Sequence, residues 1–178
     1  MPDVDRQKKS GARRLKIGSR LFYPGHGVVS VLGLEERAFG EAPQCFYVFG
    51  MSAGERLLLP VGNVHKAGVR ELVSAAKARR LLRHVATAPT PAAERSPKDR
   101  AAGYADGLRS GCPDRYTETL RELLFRARAK SLSASDKRTL EVARGYFVSE
   151  IGAALAKPAS EIQAALQGDG AKGREHES

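Results

Sequence analysis

Cysteine and long apolar runs are scarce in this 178-residue sequence, and both shortages narrow what it can be. The two cysteines, Cys45 and Cys112, lie far apart without a partner motif, which argues against a disulfide framework or zinc knuckle and predicts free thiols. No run of about eighteen apolar residues occurs, and the N-terminus is charged rather than followed by an apolar stretch. We therefore expect no membrane span, no signal peptide and a cytoplasmic protein.

The residue patterns of known catalytic and metal sites are also missing. The four histidines stand far apart, and none is spaced with a cysteine or carboxylate as metal ligands are. The chain has no phosphate-binding glycine loop that ends in lysine, and no serine occupies a nucleophile elbow. The sequence therefore predicts a protein that is not an enzyme and has neither a metal nor a cofactor.

Positive charge is plentiful and unevenly placed. Residues 74–167 carry seventeen basic and ten acidic side chains, whereas residues 16–73 carry six and five. A basic half joined to a nearly neutral half favours a module that faces a polyanion, carried by a module with a different partner. A well-solvated helical surface is the alternative interpretation of the charge alone.

The first half of the chain has the pattern of short strands. Residues 1–14 are charged, without apolar periodicity, and predict a disordered basic tail. Residues 15–73 hold several short apolar segments separated by glycine and proline turns, and the segment "QCFYVFGM" is apolar on both faces. This spacing predicts a small SH3-like or Tudor-like β-barrel.

From Ser74 the apolar spacing becomes helical. Residues 74–167 predict a compact bundle of four or five helices, with Ser74 and Ser133 as N-caps and a proline-rich linker at 87–97. Residues 168–178 predict a loose tail. The fold class is therefore α+β, a barrel followed by an all-α domain. Arg144 falls on the apolar face of the longest helix, so we expect it to pair with Glu118 or Glu122.

Four cations of the helical half are candidates for contact with DNA phosphates. Lys98 and Arg100 follow the linker, whereas Lys137 and Arg138 begin the longest helix, where the positive end of the helix also favours phosphate. Ordinary surface charge is the alternative for each of them.

Several stretches resemble one family. The opening "LKIGSRLFYPGHGVVSVLGLEE" closely resembles that of the CarD/CdnL family, and the likeness continues through "FYVFGM", "LLLPVGNVHKAGVREL" and "LSASDKRTLEVARGYFVSEIGAAL". It covers roughly Leu15 to Leu166. The resemblance implies a bacterial transcription regulator that acts at promoters within an RNA polymerase complex.

The resemblance also implies that the Tudor-like domain docks on the polymerase β subunit, at its protrusion or β1 lobe. Pairing with an edge strand would be the physical means. For Tyr47 and Phe49, a place in the barrel core is the alternative. Carried over by position, the docking residues are Arg37, Tyr47, Phe49, Met51, Arg56 and Leu58.

The family's helical domain contacts promoter DNA, largely without reading its sequence, and inserts a tryptophan wedge near the melted region. This chain contains no tryptophan, and Ser96 or Pro97 stands at the corresponding place beside Lys98 and Arg100. Activation, repression and competition at a promoter therefore all stay open.

An adaptor that recruits another protein and a Tudor-like RNA-binding module are the alternative functions. We expect a monomer without a membrane partner, associated with the nucleoid through polymerase.

Overall fold

The computed structural model describes residues 14–39, 42–51, 54–89 and 95–168. An antiparallel five-stranded sheet precedes five helices, which confirms the predicted α+β class. The strands, here together called the barrel, are β1 (Arg20–Tyr23), β2 (Gly27–Phe39), β3 (Ala42–Gly50), β4 (Arg56–Pro60) and β5 (Arg70–Glu71). The helices, here called the helical bundle, are α1 (Ala75–Ala86), α2 (Pro97–Arg109), α3 (Pro113–Ala129), α4 (Ala134–Leu155) and α5 (Ala159–Gly168).

Parts of the predicted tails and linker lie outside the described residues. Of the tails at 1–14 and 168–178, the structure describes only Arg14 and Gly168, and Gly168 ends α5. In the predicted linker, residues 90–94 are not described. Helix α2 begins at Pro97, the last linker residue, because the Ser96 hydroxyl accepts a hydrogen bond from the Asp99 amide at 3.1 Å.

The strands follow the order β4-β3-β2-β1-β5. The chain reverses between β1 and β2 through Gly25 and Gly27, whose φ angles of +91° and +79° are conformations that glycine adopts readily. The His26 amide closes this turn by donating to the Tyr23 carbonyl at 2.9 Å. The stretch "YPGHG" is therefore a tight turn that sets the register of the first two strands.

Alternation along the strands builds the barrel core. One face of the sheet buries Leu21, Val29, Val31, Tyr47, Phe49 and Leu59. Burial of these side chains stabilises the barrel by roughly 1.5–3 kcal/mol for each large apolar residue.

The helical bundle forms where the apolar stripes of its helices meet. Tyr116, Leu120 and Leu123 of α3 are fully buried, as are Phe147 and Ile151 of α4. The predicted caps are present. The hydroxyl of Ser74 accepts from the Lys77 amide, and that of Ser133 accepts from the Asp136 amide, at 3.2 and 3.1 Å.

One strand residue belongs to the core of the helical bundle. Because side chains alternate along β1, Leu21 enters the barrel core while Phe22 points the other way and is fully buried among helices. The Phe22 ring stacks at 5.7 Å on Tyr116 and meets Tyr146 edge-on at 5.1 Å, measured between centroids. The barrel and the helical bundle therefore share a packed interface.

The predicted partner of Arg144 is wrong. Its guanidinium lies 3.2 Å from Glu141, one turn earlier on α4, and its side chain is about one-third exposed. Glu118 is instead bonded to His84 and Arg121. A partly exposed arginine thus finds a neighbour on its own helix and needs no partner from α3.

Candidate functional site

Arg37 lies on an exposed arm of the β2–β3 hairpin. It stands opposite Gln44 in the register, and its side chain is half exposed. The guanidinium donates to the Glu35 carboxylate at 2.9 Å, two residues earlier on the same face of β2. A partner can therefore contact Arg37 by breaking its ion pair with Glu35, a surface pair that contributes less than about 1 kcal/mol.

Tyr47 and Phe49 are core residues. Their side chains are 2% and 0% exposed, and both belong to the apolar cluster inside the barrel. The Tyr47 hydroxyl accepts a hydrogen bond from the Leu15 amide at 3.0 Å. Their side chains therefore cannot meet a docking partner, and we remove both from the contact surface expected from the resemblance.

Strand β4 ends the sheet order and carries two of the remaining candidates. Within the described ranges it pairs with β3 alone, so its outer edge keeps main-chain donors and acceptors for another strand. Arg56 is exposed at the start of β4, opposite Gly50, and Leu58 is half-buried opposite Val48. Met51, directly after β3, is half-buried and packs against the barrel core.

The four predicted phosphate contacts lie in the first turns of α2 and α4. Lys98, Lys137 and Arg138 are exposed. Arg100 is half-buried, and its guanidinium donates to the Arg95 carbonyl at 2.5 Å. Three of the four side chains are thus exposed to solvent, and the Arg138 guanidinium also donates to the Ala134 carbonyl at 3.4 Å.

Tyr104 of α2 is buried in the core of the helical bundle. Burial first, then the negative charge of Glu122 on α3, raises the pKa of Tyr104 to about 12. Arg100 precedes Tyr104 by one turn, about 6 Å along the axis. The turn of α2 that carries Arg100 is therefore anchored to the bundle core.

The place expected for a tryptophan is the start of α2. Besides capping the helix, the Ser96 hydroxyl donates to the Asp99 carboxylate at 2.6 Å, and Pro97 is the first helical residue. Both residues are exposed. Ser96 therefore has a local structural role that a tryptophan there would remove.

The sequence reasoning missed a buried ionic cluster between the barrel and the bundle. Glu150 of α4 is fully buried. Its carboxylate accepts hydrogen bonds from the two terminal guanidinium nitrogens of Arg70 on β5, at 2.6 and 2.8 Å. It also accepts the Val73 amide at 3.0 Å and the Tyr116 hydroxyl at 2.6 Å. A carboxylate three residues after Phe147 on an apolar helical face was a signal of a buried partner.

In the buried cluster, the positive charge of Arg70 compensates the negative charge of Glu150. Burial alone would lower the pKa of Arg70, but its hydrogen bonds to Glu150 and the charge of that carboxylate raise it above its ordinary value. Burial and the Glu150 charge raise the pKa of the Tyr116 hydroxyl well above its usual range. At neutral pH Arg70 therefore keeps its charge and Tyr116 keeps the proton that it donates.

An open groove of about 520 Å³ also lies between the outer face of the sheet and helices α4 and α5, with Val28, Leu32, Val148 and Ala153 in its lining. In the part of the chain that the structure describes, no three His, Cys, Asp or Glu side chains form a group able to hold a metal ion. No helix among those residues is both long and apolar enough to cross a membrane.

A Tudor-like barrel, in which β4 pairs only with β3 among the described residues, followed by a helical bundle with exposed cations, is a two-module architecture. Two family models match it in that order: the CarD-like/TRCF RID domain at residues 15–73, and the C-terminal domain of CarD at residues 80–167. The chain belongs to the CarD/CdnL family, whose members are of the transcription-regulator type.

A curated relative supports this family. The chain is 25% identical over 137 residues to a protein of Bacillus subtilis (strain 168) named "Putative transcription factor YdeB". The match covers 76% of this chain and 89% of the relative. Both modules are thus included in the likeness.

Proposed function

We propose that this protein is a non-enzymatic transcription regulator that binds the RNA polymerase β subunit through its barrel and promoter DNA through its helical bundle. The observation that carries the proposal is the presence of both modules, a CarD-like/TRCF RID domain followed by a CarD C-terminal domain. Such a protein acts in the cytoplasm, on the nucleoid, and as a monomer.

The polymerase surface consists of the outer edge of β4, the side chains beside it, and Arg37, which lies two strands away on the β2–β3 arm. Main-chain hydrogen bonds from an edge strand give affinity, and alternate side chains give selectivity. The proposed surface, here called the docking edge, comprises Arg37, Met51, Arg56 and Leu58. Tyr47 and Phe49 support the docking edge from the core without touching the partner.

Charge reversal on the docking edge tests the polymerase contact. In the full-length chain, Arg37→Glu with Arg56→Glu should weaken binding to purified polymerase by about tenfold or more, because like charges facing each other at an interface cost several kcal/mol. Arg79→Glu, an exposed reversal on α1, is the matched control and should bind like wild type. Equal binding by the double variant would overturn the docking edge.

The DNA contact is a phosphate contact. Exposed Lys98, Lys137 and Arg138, together with the half-buried Arg100, supply positive charge near the starts of α2 and α4. Because each neutralised phosphate releases counterions, replacing all four by alanine should reduce the slope of log affinity against log salt by about one unit for each phosphate that is no longer neutralised. The control is Arg79→Ala with Arg83→Ala, which removes exposed charge from α1. An unchanged slope in the fourfold variant would contradict the phosphate contact.

The absent tryptophan modifies this function. An aromatic wedge replaces stacking that is lost when promoter base pairs open. Pro97→Trp leaves the Ser96 cap in place, and the first turn of a helix tolerates a residue other than proline. In transcription with purified polymerase, Pro97→Trp should lengthen the open-complex lifetime relative to wild type; an equal lifetime would show that the wedge position lies elsewhere.

Exposed apolar side chains on the bundle favour a second function, an adaptor that binds polymerase and recruits another protein. Phe125 of α3 and Val142 of α4 are 46% and 45% exposed. Phe125→Ser with Val142→Ser should leave DNA binding unchanged if the bundle binds DNA, and should abolish partner recruitment if the protein is an adaptor.

A further inference from the structure

Arg70 collects contacts from both sides of the interface between the barrel and the helical bundle. Besides its two bonds to Glu150, its guanidinium donates twice to the Gly111 carbonyl between α2 and α3, at 3.0 and 2.8 Å. The same group lies 4.3 Å above the Phe22 ring centroid. One β5 side chain therefore touches β1, the α2–α3 connection and α4.

We propose that Arg70 and Glu150 are positioning residues that hold the helical bundle at one angle to the barrel, so that the bundle reaches DNA while the barrel is bound to polymerase. This inference rests on the proposed function. The Arg70–Glu150 pair is called the interdomain fork below.

Apolar contact alone does not fix the angle between the barrel and the helical bundle. Packing around Phe22 is non-directional. Two single hydrogen bonds also cross the interface, from the Gly25 amide to the Tyr146 hydroxyl at 2.5 Å and from the Arg20 guanidinium to the Ala153 carbonyl at 3.3 Å. Only the two parallel bonds between the Arg70 guanidinium and the Glu150 carboxylate define both distance and orientation. A buried ion pair gives little net stability compared with apolar residues of the same volume, so its contribution at this interface is geometric. The Glu150 carboxylate accepts hydrogen bonds from four donors at 2.6 to 3.0 Å, and these bonds together fix its orientation.

A fixed angle matters because the two binding events are linked. When one module is bound, the other meets its target at an effective concentration set by their geometry. A bundle held only by packing at Phe22 and the two single hydrogen bonds samples a wider range of angles and spends less time with Lys98 and Lys137 facing DNA. The interdomain fork therefore lets the polymerase contact and the DNA contact form together and strengthen each other.

Two isosteric variants separate positioning from stability. Glu150→Gln keeps the shape of the side chain but removes the charge that the fork needs. Tyr116→Phe removes a bond to the same carboxylate at 2.6 Å, but that bond stays within the bundle, between α3 and α4. Both variants disturb the cluster, and only the first weakens the contact with the barrel.

The angle is measured directly with two spin labels on full-length protein. Gln44→Cys, exposed on β3, is one label site, and Gln163→Cys, exposed on α5, is the other, in a Cys45→Ser, Cys112→Ser background. Cys112 makes no side-chain cap to α3, and serine is a good N-cap, so that replacement is tolerated. Wild type and Tyr116→Phe should give one narrow distance distribution, and Glu150→Gln a clearly broadened one. Equal widths would overturn the proposal.

A second readout tests the functional consequence. Glu150→Gln should bind polymerase alone like wild type but lose about tenfold or more in retention on the polymerase–promoter complex. Tyr116→Phe should retain that complex like wild type. Loss of binding to polymerase itself in Glu150→Gln would overturn a positioning role. If wild type failed to bind polymerase, the proposed function would be wrong, but the distances between the two labels would still test the role of the interdomain fork.

Arg70→Lys keeps the experiment decisive if Glu150→Gln fails to fold. Lysine keeps the charge beside Glu150 but offers a point charge in place of a planar fork. The variant should be folded by circular dichroism and should still show the broadened distance distribution. A narrow distribution in Arg70→Lys would overturn the proposal.

Discussion

Replacing Phe22 with alanine should destabilise the helical bundle, although the residue lies on a strand of the barrel. The side chain is fully buried, contacts Tyr116 and Tyr146 and supports the Arg70 guanidinium. Truncating a buried phenylalanine costs about 3–5 kcal/mol, from the lost transfer free energy and the cavity left behind. In a chain of this size that lowers Tm by roughly 6–20 °C, at about 2–4 °C for each kcal/mol.

The control is Phe49→Ala, which removes an equally buried phenylalanine from the barrel core. Urea unfolding followed by far-ultraviolet circular dichroism gives the free energy, and amide hydrogen exchange shows where protection is lost. Phe22→Ala should reduce protection in α3 and α4, whereas Phe49→Ala should reduce it first in β2 and β3. A cost below about 1 kcal/mol for Phe22→Ala would refute the shared core, because so small a value indicates a side chain that is not buried.

Three further predictions concern pH, backbone and capping. Because burial raises the pKa of Tyr104 to about 12, the folded chain keeps a proton that the unfolded chain loses near pH 10. The free energy of unfolding should therefore be highest below about pH 10 and decrease toward pH 12. In urea titrations, the free energy of unfolding of Tyr104→Phe should decrease less steeply over this range. Gly111→Ala should cost at least about 2 kcal/mol, since φ is +61° and the new Cβ would lie 2.5 Å from Pro24; Gly33→Ala, with open space around it, should be nearly neutral in the same titration. Ser133→Ala should remove the α4 cap, cost about 1 kcal/mol and lower Tm by a few degrees in thermal melts.

Local rules predicted much of the fold. Ser74 and Ser133 cap helices where the sequence placed them, since a cap depends only on the next few residues. Alternation put Tyr47 and Phe49 on one face of β3, but their side chains fill the core that the sequence offered as the alternative to docking. Which face of a strand is buried depends on how the whole sheet closes, and strand alternation does not contain that information.

The interdomain fork shows where sequence reasoning stops. Glu150 could be flagged as a carboxylate on an apolar helical face, but its partner lies 80 residues away on β5. The chain has many arginines, and only the three-dimensional meeting of β5 with α4 selects Arg70. Arg144 shows the opposite error, because a partner was expected on α3 although Glu141 lies three residues earlier on the same helix.

The most direct test is photo-crosslinking of the full-length chain to purified RNA polymerase. A photo-reactive phenylalanine replaces Arg56 on the docking edge, and the matched control carries it in place of Arg79 on α1. We predict an adduct with the β subunit from position 56 and none with β from position 79. An adduct from position 56 to another subunit, or no adduct from a folded chain, would contradict polymerase docking through the barrel.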